Sequence, residues 1–226
     1  MTAMKNDSKE VVDGSRLLKA VEAISIAPAD AHHIADQYLA QVRKKSPGID
    51  DATARALVAD KIVARYAKLA GTVGGTTALA GVVPGLGTAI ALTGGAAADA
   101  AACMKLQVDM VMCMAAAYGY DLNSEDARQL SFIIAAGGAL EKAGVQAGTR
   151  LASKAGVNLV RQYLKGAVLQ ALKEMFKTLG IVFTRKALEK ALPFGIGVVI
   201  GSSANYALTR YVGKQAREWF VIDSQM

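Results

Sequence analysis

The chain has few of the residues from which disulfides and metal sites are built. It contains two cysteines, two histidines, four prolines and one tryptophan in 226 residues, and aromatic residues make up only 6%. Cys103 and Cys113 fall in one predicted helix, about 15 Å apart along its axis, which is too far for a disulfide between them. His32 and His33 are adjacent and point about 100° apart on a helix, so they do not form a chelating pair. The sequence therefore indicates neither a disulfide framework nor a metal site.

Motifs of nucleotide-dependent and hydrolytic enzymes are also missing. The sequence has no GxxxxGK[ST], no GxSxG, no HExxH and no Cys/His spacing typical of zinc sites. Gly195, Gly197 and Gly201 superficially resemble a dinucleotide fingerprint, but they follow a lysine-rich helical segment rather than a strand. We therefore expect no cofactor, no metal and no catalytic residues. A hydrolase that depends on Asp99 is the less favoured alternative.

Alanine, glycine and valine supply most of the apolar character of the chain. Hydrophobic residues make up 53% and the mean hydropathy is +0.28. Abundant Ala, Leu, Lys and Gln, together with few prolines, predict an all-α fold, a helical bundle. The length fits one domain with an extension. We assign residues 1–48 to an N-terminal helical extension and residues 49–226 to the main helical domain.

Periodicity and capping residues predict where the helices lie. Residues 8–26 and 29–45 are two amphipathic helices, and Asp51 stands at the start of a third. A longer helix is predicted over residues 88–118, where a Tyr-Gly turn ends it. The acidic residues after Ser124 suit the first turn of the next helix, because they complement its dipole.

Two uncharged, glycine-rich segments interrupt this pattern, at residues 69–98 and 191–209. Glycines at four-residue spacing let helix backbones approach closely, whereas each would cost up to about 1 kcal/mol relative to alanine in a water-exposed helix. Pro84 splits the first segment into halves too short to span a bilayer core of about 30 Å. We expect helical hairpins that dip into a membrane or pack inside the bundle. The glycines predicted to pack closely are Gly71, Gly75, Gly81, Gly85, Gly197 and Gly201.

Each uncharged segment leads to one polar side chain. Asp99 follows Gly95 by four residues, as Asn205 follows Gly201. Asp99 falls on an apolar helix face, where an unpaired carboxylate would cost several kcal/mol. An amide can donate to a carboxylate, so we expect Asp99 and Asn205 to form a buried polar pair. The alternative is that Asp99 lines a ligand cavity or a membrane-facing groove.

Basic charge is concentrated in the last third of the chain. Residues 141–226 carry a net charge of +8, whereas residues 69–140 carry −3. On a helix over residues 150–165, four basic residues fall within about 60° of arc, and three more recur at helical spacing before Trp219. Such stripes suit an anionic lipid surface, and a solvated face is the alternative. Nucleic acid fits less well, because interleaved stacking aromatics and docking motifs are lacking. The predicted lipid-facing residues are Arg150, Lys154, Arg161, Lys165, Arg210, Lys214 and Arg217.

Two stretches resemble the EcsC protein family. The first joins the Asp-bearing helix that begins near Ala97 to the turn Tyr118-Gly119-Tyr120-Asp121 and the acidic helix start after it. The second has the pattern P-x-G-x-G-x-x-x-G-x-x-x-N and ends at Asn205. The likeness extends over about residues 50–222. The family is named for a protein encoded beside an ABC transporter. The resemblance therefore implies an accessory or membrane-linked role, without an agreed active site.

The sequence as a whole predicts a non-enzymatic, membrane-associated accessory protein. The N-terminal stretch MTAMKNDSKE is polar and has no signal-peptide core, which favours a cytoplasmic protein held peripherally or by shallow insertion at the inner face of the cell membrane. Its expected partners are anionic membrane lipid and a membrane protein such as a transporter. The alternative is a soluble α-helical module that binds a lipid or a protein in a glycine-lined groove.

Overall fold

A computed structural model describes residues 14–72, 88, 95–145, 149–166, 168–182 and 202–226, and gives only the backbone for residues 72, 95–99, 202 and 203. These residues form eight α-helices and no strand, which confirms the predicted all-α fold. The helices are α1 (Gly14–Ile24), α2 (Pro28–Lys45), α3 (Asp51–Thr72), α4 (Gly95–Ala117), α5 (Glu125–Lys142), α6 (Lys154–Leu164), α7 (Val168–Val182) and α8 (Ser202–Asp223).

Several helix ends follow from local sequence. Pro28 begins α2, because its fixed φ suits the first helical turn and its missing N–H is not needed there. The Ser124 hydroxyl accepts from the backbone N–H of Ala127 at 3.3 Å and caps α5, which begins with the acidic first turn that the sequence predicted. Gly119 adopts a φ of +89° just after α4, a conformation that L side chains rarely adopt. Capping and turn residues therefore set these boundaries.

The centre of the bundle is α4. Every residue of its window Ala100–Ala117 is buried, and other helices cover it on several sides, namely α1, α2, α3, α5 and α8. This window is long and apolar enough to cross a membrane, and among the described residues it is the one such window. Because the whole window is enclosed by other helices, it is the core helix of this bundle.

The first two helices belong to the same core. Leu17 and Val21 of α1 are fully buried, and α1 packs against α7 and α4. One hydrophobic cluster includes both Val42 of α2 and Ala54 of α3. Packing is therefore continuous across residues 48 and 49, and the division into an extension and a main domain stays a prediction.

The most extensive helix contact joins α8 to α3, and Gly213 lies within it. A Cβ atom at this position would lie 2.7 and 2.9 Å from the two γ-methyls of Val63, and 3.1 Å from the sulfur of Met110. Real Cβ atoms almost never approach so closely. The absence of a side chain at Gly213 therefore lets α3, α4 and α8 meet.

Most of the glycine-rich segments lie outside the described residues. Gly71 is half-buried near the end of α3. The close packing predicted for the other glycines stays a prediction, because all five lie outside the described part of the chain: Gly75, Gly81, Gly85, Gly197 and Gly201.

Candidate functional site

A row of polar side chains lies along the contact between α4 and α8. We call this group the α4–α8 seam (Cys103, Gln107, Asn205 and Thr209). The Cys103 thiol donates to Oδ1 of Asn205 across 3.7 Å. Nε2 of Gln107, one turn further along α4, donates to the Cys103 sulfur across 3.4 Å. A chain of weak hydrogen bonds therefore joins the two helices.

The two helices run in the same direction along this seam. The contact at Asn205 comes two turns before the contact between Gly213 and Met110. This register places Thr209 opposite Gln107, and both residues are fully buried. Within the described part of the chain, Oε1 of Gln107 and Oγ1 of Thr209 have no hydrogen-bond partner. The seam therefore holds an amide oxygen and a hydroxyl whose hydrogen-bonding capacity is unused within the described residues.

Asp99 lies one turn before Cys103 on α4, but its side chain is outside the described residues. The structure shows that Asn205 faces α4, where its hydrogen-bond partner is the thiol of Cys103. The predicted pair of Asp99 and Asn205 therefore stays a prediction, and so does the alternative in which Asp99 lines a groove.

Two double-mutant cycles distinguish the candidate partners of Asn205. If its amide donates to Asp99, Asn205→Ala and Asp99→Ala should show a coupling energy of about 0.5–3 kcal/mol in urea unfolding. The cycle with Cys103→Ala should give a smaller coupling, because a thiol is a weak donor. Clear coupling to Cys103 together with none to Asp99 would contradict the predicted pair.

A second polar group on α4 is a buried ion pair. Nζ of Lys105 donates to Oδ2 of Asp109, and each side chain is only 6% exposed. The backbone N–H of Ile26, between α1 and α2, donates to Oδ1 of Asp109 at 2.8 Å. Burial raises the pKa of the Asp109 carboxyl, against the opposing effects of Lys105 and Ile26. In the sequence, the one indication of this pair is that its members are four residues apart. Ion pairs with that spacing are more often found on helix surfaces.

Both cysteines are buried in this core as free thiols. The Tyr66 hydroxyl lies 3.4 Å from the Cys113 sulfur, and either atom can donate. Burial raises the pKa of the Cys113 thiol to about 12, so it stays protonated near neutral pH. Because the thiolate is the nucleophilic form, Cys113 is poorly suited to covalent catalysis. Cys103 and Cys113 are not joined by a disulfide, as predicted.

Ion pairs occupy part of the basic surface predicted to face lipid. A paired guanidinium or ammonium attracts an anionic surface less strongly, because the neighbouring carboxylate cancels its charge. Three of the seven predicted residues are paired in this way, with N–O distances of 2.7, 3.0 and 3.8 Å: Arg161 with Asp223, Arg217 with Asp60 and Lys214 with Glu218.

Arg150 lies outside the helix in which it was predicted. The Ser153 hydroxyl caps α6, which begins at Lys154, so the continuous helix expected over residues 150–165 is wrong. Arg150 instead lines a cleft of about 240 Å³ together with Glu141 and Glu218. Arg150 therefore shares a cleft with two acidic residues and lies outside the helix that carries Lys154 and Arg161.

The remaining predicted residues are exposed. Lys154 and Lys165 are exposed and form no ion pair with any described residue. Arg210 is also exposed, and its guanidinium lies 5.9 Å from the centre of the Tyr206 ring. Lys154 and Lys165 therefore keep their charge available, at opposite ends of α6.

An outward row on α7 was not singled out from the sequence, and we call it the α7 strip (Leu169, Lys173, Lys177 and Ile181). Its members recur every four residues, so they follow one side of the helix. Leu169 is 51% exposed and Ile181 is 50% exposed, and Lys177 between them is also exposed. In the sequence, the α7 strip is indicated by the four-residue spacing of its members.

Comparisons with curated proteins and with solved structures find no match. The model of the EcsC protein family matches residues 2–222. That range contains all eight helices apart from the last residue of α8, including the turn at Tyr118 and the seam residue Asn205. The chain therefore belongs to the EcsC protein family.

Proposed function

We propose that the protein is a non-enzymatic accessory protein that docks peripherally on anionic lipid at the inner face of the cell membrane. The docking surface is the α7 strip together with Tyr163 and Lys165 at the end of α6. The observation that carries this proposal is that α6 and α7 each expose large apolar side chains and lysines at or near the helix: Tyr163 and Lys165 at the end of α6, and Leu169, Lys177 and Ile181 on α7.

The lysines and the apolar side chains of this surface contribute to lipid binding in different ways. Each basic residue near an anionic surface contributes about 1 kcal/mol, and this contribution falls as salt is added. Leu169 and Ile181 add the burial of aliphatic surface in the headgroup region, which salt does not weaken. The sequence after α7 continues the positive charge with Arg185, Lys186 and Lys190 before the uncharged segment begins.

A membrane-protein partner such as a transporter belongs to the same proposal, since docking would bring the protein beside it. The second candidate is a soluble module that binds a lipid or a protein. The unpartnered atoms of Gln107 and Thr209 favour it, because a ligand could satisfy them. Lipid that co-purifies in stoichiometric amounts with soluble protein would support this second candidate.

Flotation with vesicles that contain phosphatidylglycerol tests the docking surface. Removing three charges from it should weaken partition by up to about 100-fold at low salt, because each contributes about 1 kcal/mol. The test variant carries Lys165→Gln, Lys173→Gln and Lys177→Gln. The control variant removes three lysines from α2 and α3, with Lys44→Gln, Lys45→Gln and Lys68→Gln, all of them exposed.

The control should float like the unmodified protein at equal salt. Equal weakening of both variants would show that net charge rather than this surface governs binding, and would overturn the proposal. Vesicles of neutral lipid alone should recover little protein. A further variant with Leu169→Gln and Ile181→Gln should weaken the part of the binding that persists at high salt.

A further inference from the structure

The turn between α4 and α5 borders a cleft of about 380 Å³ at the end of α8. Gly119, with its positive φ, reverses the chain so that Tyr118 and Tyr120 both line the cleft. The other side is formed by α3 and α8. The side chains that complete the lining are Arg55, Phe220, Asp223 and Ser224.

Aromatic rings form one wall of this cleft. Tyr118 stacks on Phe220 with ring centres 5.2 Å apart and planes 18° apart. Tyr120 meets the same ring edge-on at 5.6 Å, and its hydroxyl donates to Asp223. Trp219 packs edge-on against Phe220 from within the core, with ring centres 5.2 Å apart. A planar ligand could pack against this wall, and Trp219 would sense it through Phe220.

The charge balance of the cleft is positive. Nε of Arg161 donates to Asp223 at 2.8 Å, so the carboxylate in the lining is already neutralised. Arg55 is half-buried and forms no ion pair with any described residue. Its natural partner one turn earlier, Asp51, is taken by Arg43 at 2.7 Å. Arg55 is therefore a cation without a matched carboxylate.

Tyr118, which lines the same cleft, carries a second group without a partner, its hydroxyl. It is buried and has no hydrogen-bond partner in the described part of the chain. Burial raises the pKa of this phenol, against the opposing effects of Arg217 and Arg55. At neutral pH it is therefore an O–H donor, and a buried donor without an acceptor is unfavourable. A bound acceptor would remove that cost.

We propose that this cleft binds a small organic anion, a carboxylate or phosphate attached to a planar ring. Arg55 pairs with the anionic group, the Tyr118 hydroxyl donates to it, and the ring packs against Tyr120 and Phe220. A lipid headgroup and a soluble phosphate ester share the anionic group, and the planar ring distinguishes them.

Titration with phenyl phosphate tests this assignment. The readout is the emission of Trp219, the only tryptophan of the chain. We expect a saturable change, with Kd raised at least about tenfold by Arg55→Gln, since charge-assisted hydrogen bonds are the stronger ones. Tyr118→Phe should raise Kd about threefold, while its melting temperature stays level or rises because an unpartnered hydroxyl is removed. The control is Arg65→Gln, at an exposed position of α3, the helix that also carries Arg55. It should change neither the Kd nor the melting temperature.

Three results would overturn the proposal. Equal Kd values in the unmodified protein and both cleft variants would place binding elsewhere. A lower melting temperature for Tyr118→Phe would show that the hydroxyl has a structural partner. Glycerol phosphate, which has the anion of a lipid headgroup but no ring, should bind more weakly than phenyl phosphate, and equal binding would contradict the planar-ring assignment. Arg55→Gln should leave vesicle flotation unchanged, because Arg55 is not part of the α7 strip.

Discussion

Asp109→Leu should lower the free energy of unfolding by about 3–5 kcal/mol, which is the usual result of leaving one member of a buried ion pair without its partner. The change strands the Lys105 ammonium in the core and also removes the acceptor for the backbone N–H of Ile26. Small domains are stable by only about 5–15 kcal/mol, so much of the total would be lost. Urea unfolding followed by circular dichroism measures the change.

Lys105→Met should cost less, because the carboxyl of Asp109 can take up a proton and still accept from Ile26. Lys105 is the main group that lowers the pKa of this carboxyl against the effect of burial, so its removal raises that pKa further. Between the ordinary carboxyl pKa of about 4 and the higher folded-state value, the folded variant then holds more protons than the unfolded chain. Its stability should therefore fall as the pH rises through that window.

The neutral double variant gives the control for both changes. Lys105→Met combined with Asp109→Leu should recover part of the loss, because no charge is then left buried. A difference between Lys105→Met and the unmodified protein that does not change with pH would contradict the assigned role of Asp109. So would a loss below about 1 kcal/mol for Asp109→Leu, the value typical of an exposed pair.

Gly213→Ala should lower the free energy of unfolding by about 1–3 kcal/mol, as overpacking in a well-filled core usually does. The new methyl group would overlap the γ-methyls of Val63, a β-branched side chain that cannot easily turn away. Combining the change with Val63→Ala makes room, so the double variant should lose less than the sum of the single losses. Gly213→Leu should prevent folding altogether.

Gly137→Ala is the matched control in α5. A Cβ atom there would lie 3.5 Å from Cε of Met175, an ordinary contact distance. This change should leave stability level or raise it by up to about 1 kcal/mol, because alanine favours the helix over glycine. Equal effects at the two glycines in thermal unfolding would show that helix propensity, rather than close packing at Gly213, decides the outcome.

Local signals in the sequence predicted the helices well. Pro28 and Ser124 act within one turn of their own positions, so the starts of α2 and α5 could be assigned without knowing the rest of the fold. The same reasoning failed at residues 150–165. Four basic residues at helical spacing suggested one helix, but the capping hydroxyl of Ser153 begins α6 only at Lys154.

The buried ion pairs and the cleft depend on contacts between helices, which the spacing of residues in the sequence does not show. Periodicity predicts which residues share a helix face, but not which other helix covers that face. Arg161 meets its carboxylate 62 residues away in sequence, and Asp109 meets Ile26 83 residues away. By spacing alone, the buried pair of Lys105 and Asp109 cannot be distinguished from an ion pair on an exposed helix surface. The cleft at Tyr118 likewise requires three helices to meet.

The contact between α3 and α8 has a consequence during protein synthesis. Val58 and Ile62 of α3 are fully buried in the folded protein, yet the helix that packs most extensively on α3 is α8, the last of the described helices to be synthesised. At about 5–20 residues per second, α3 waits on the order of ten seconds before α8 is made. During that interval α2 and α4 can pack on α3, but the part of its surface that α8 covers in the folded protein stays exposed. That part of α3 is therefore buried only after translation has passed Gly213.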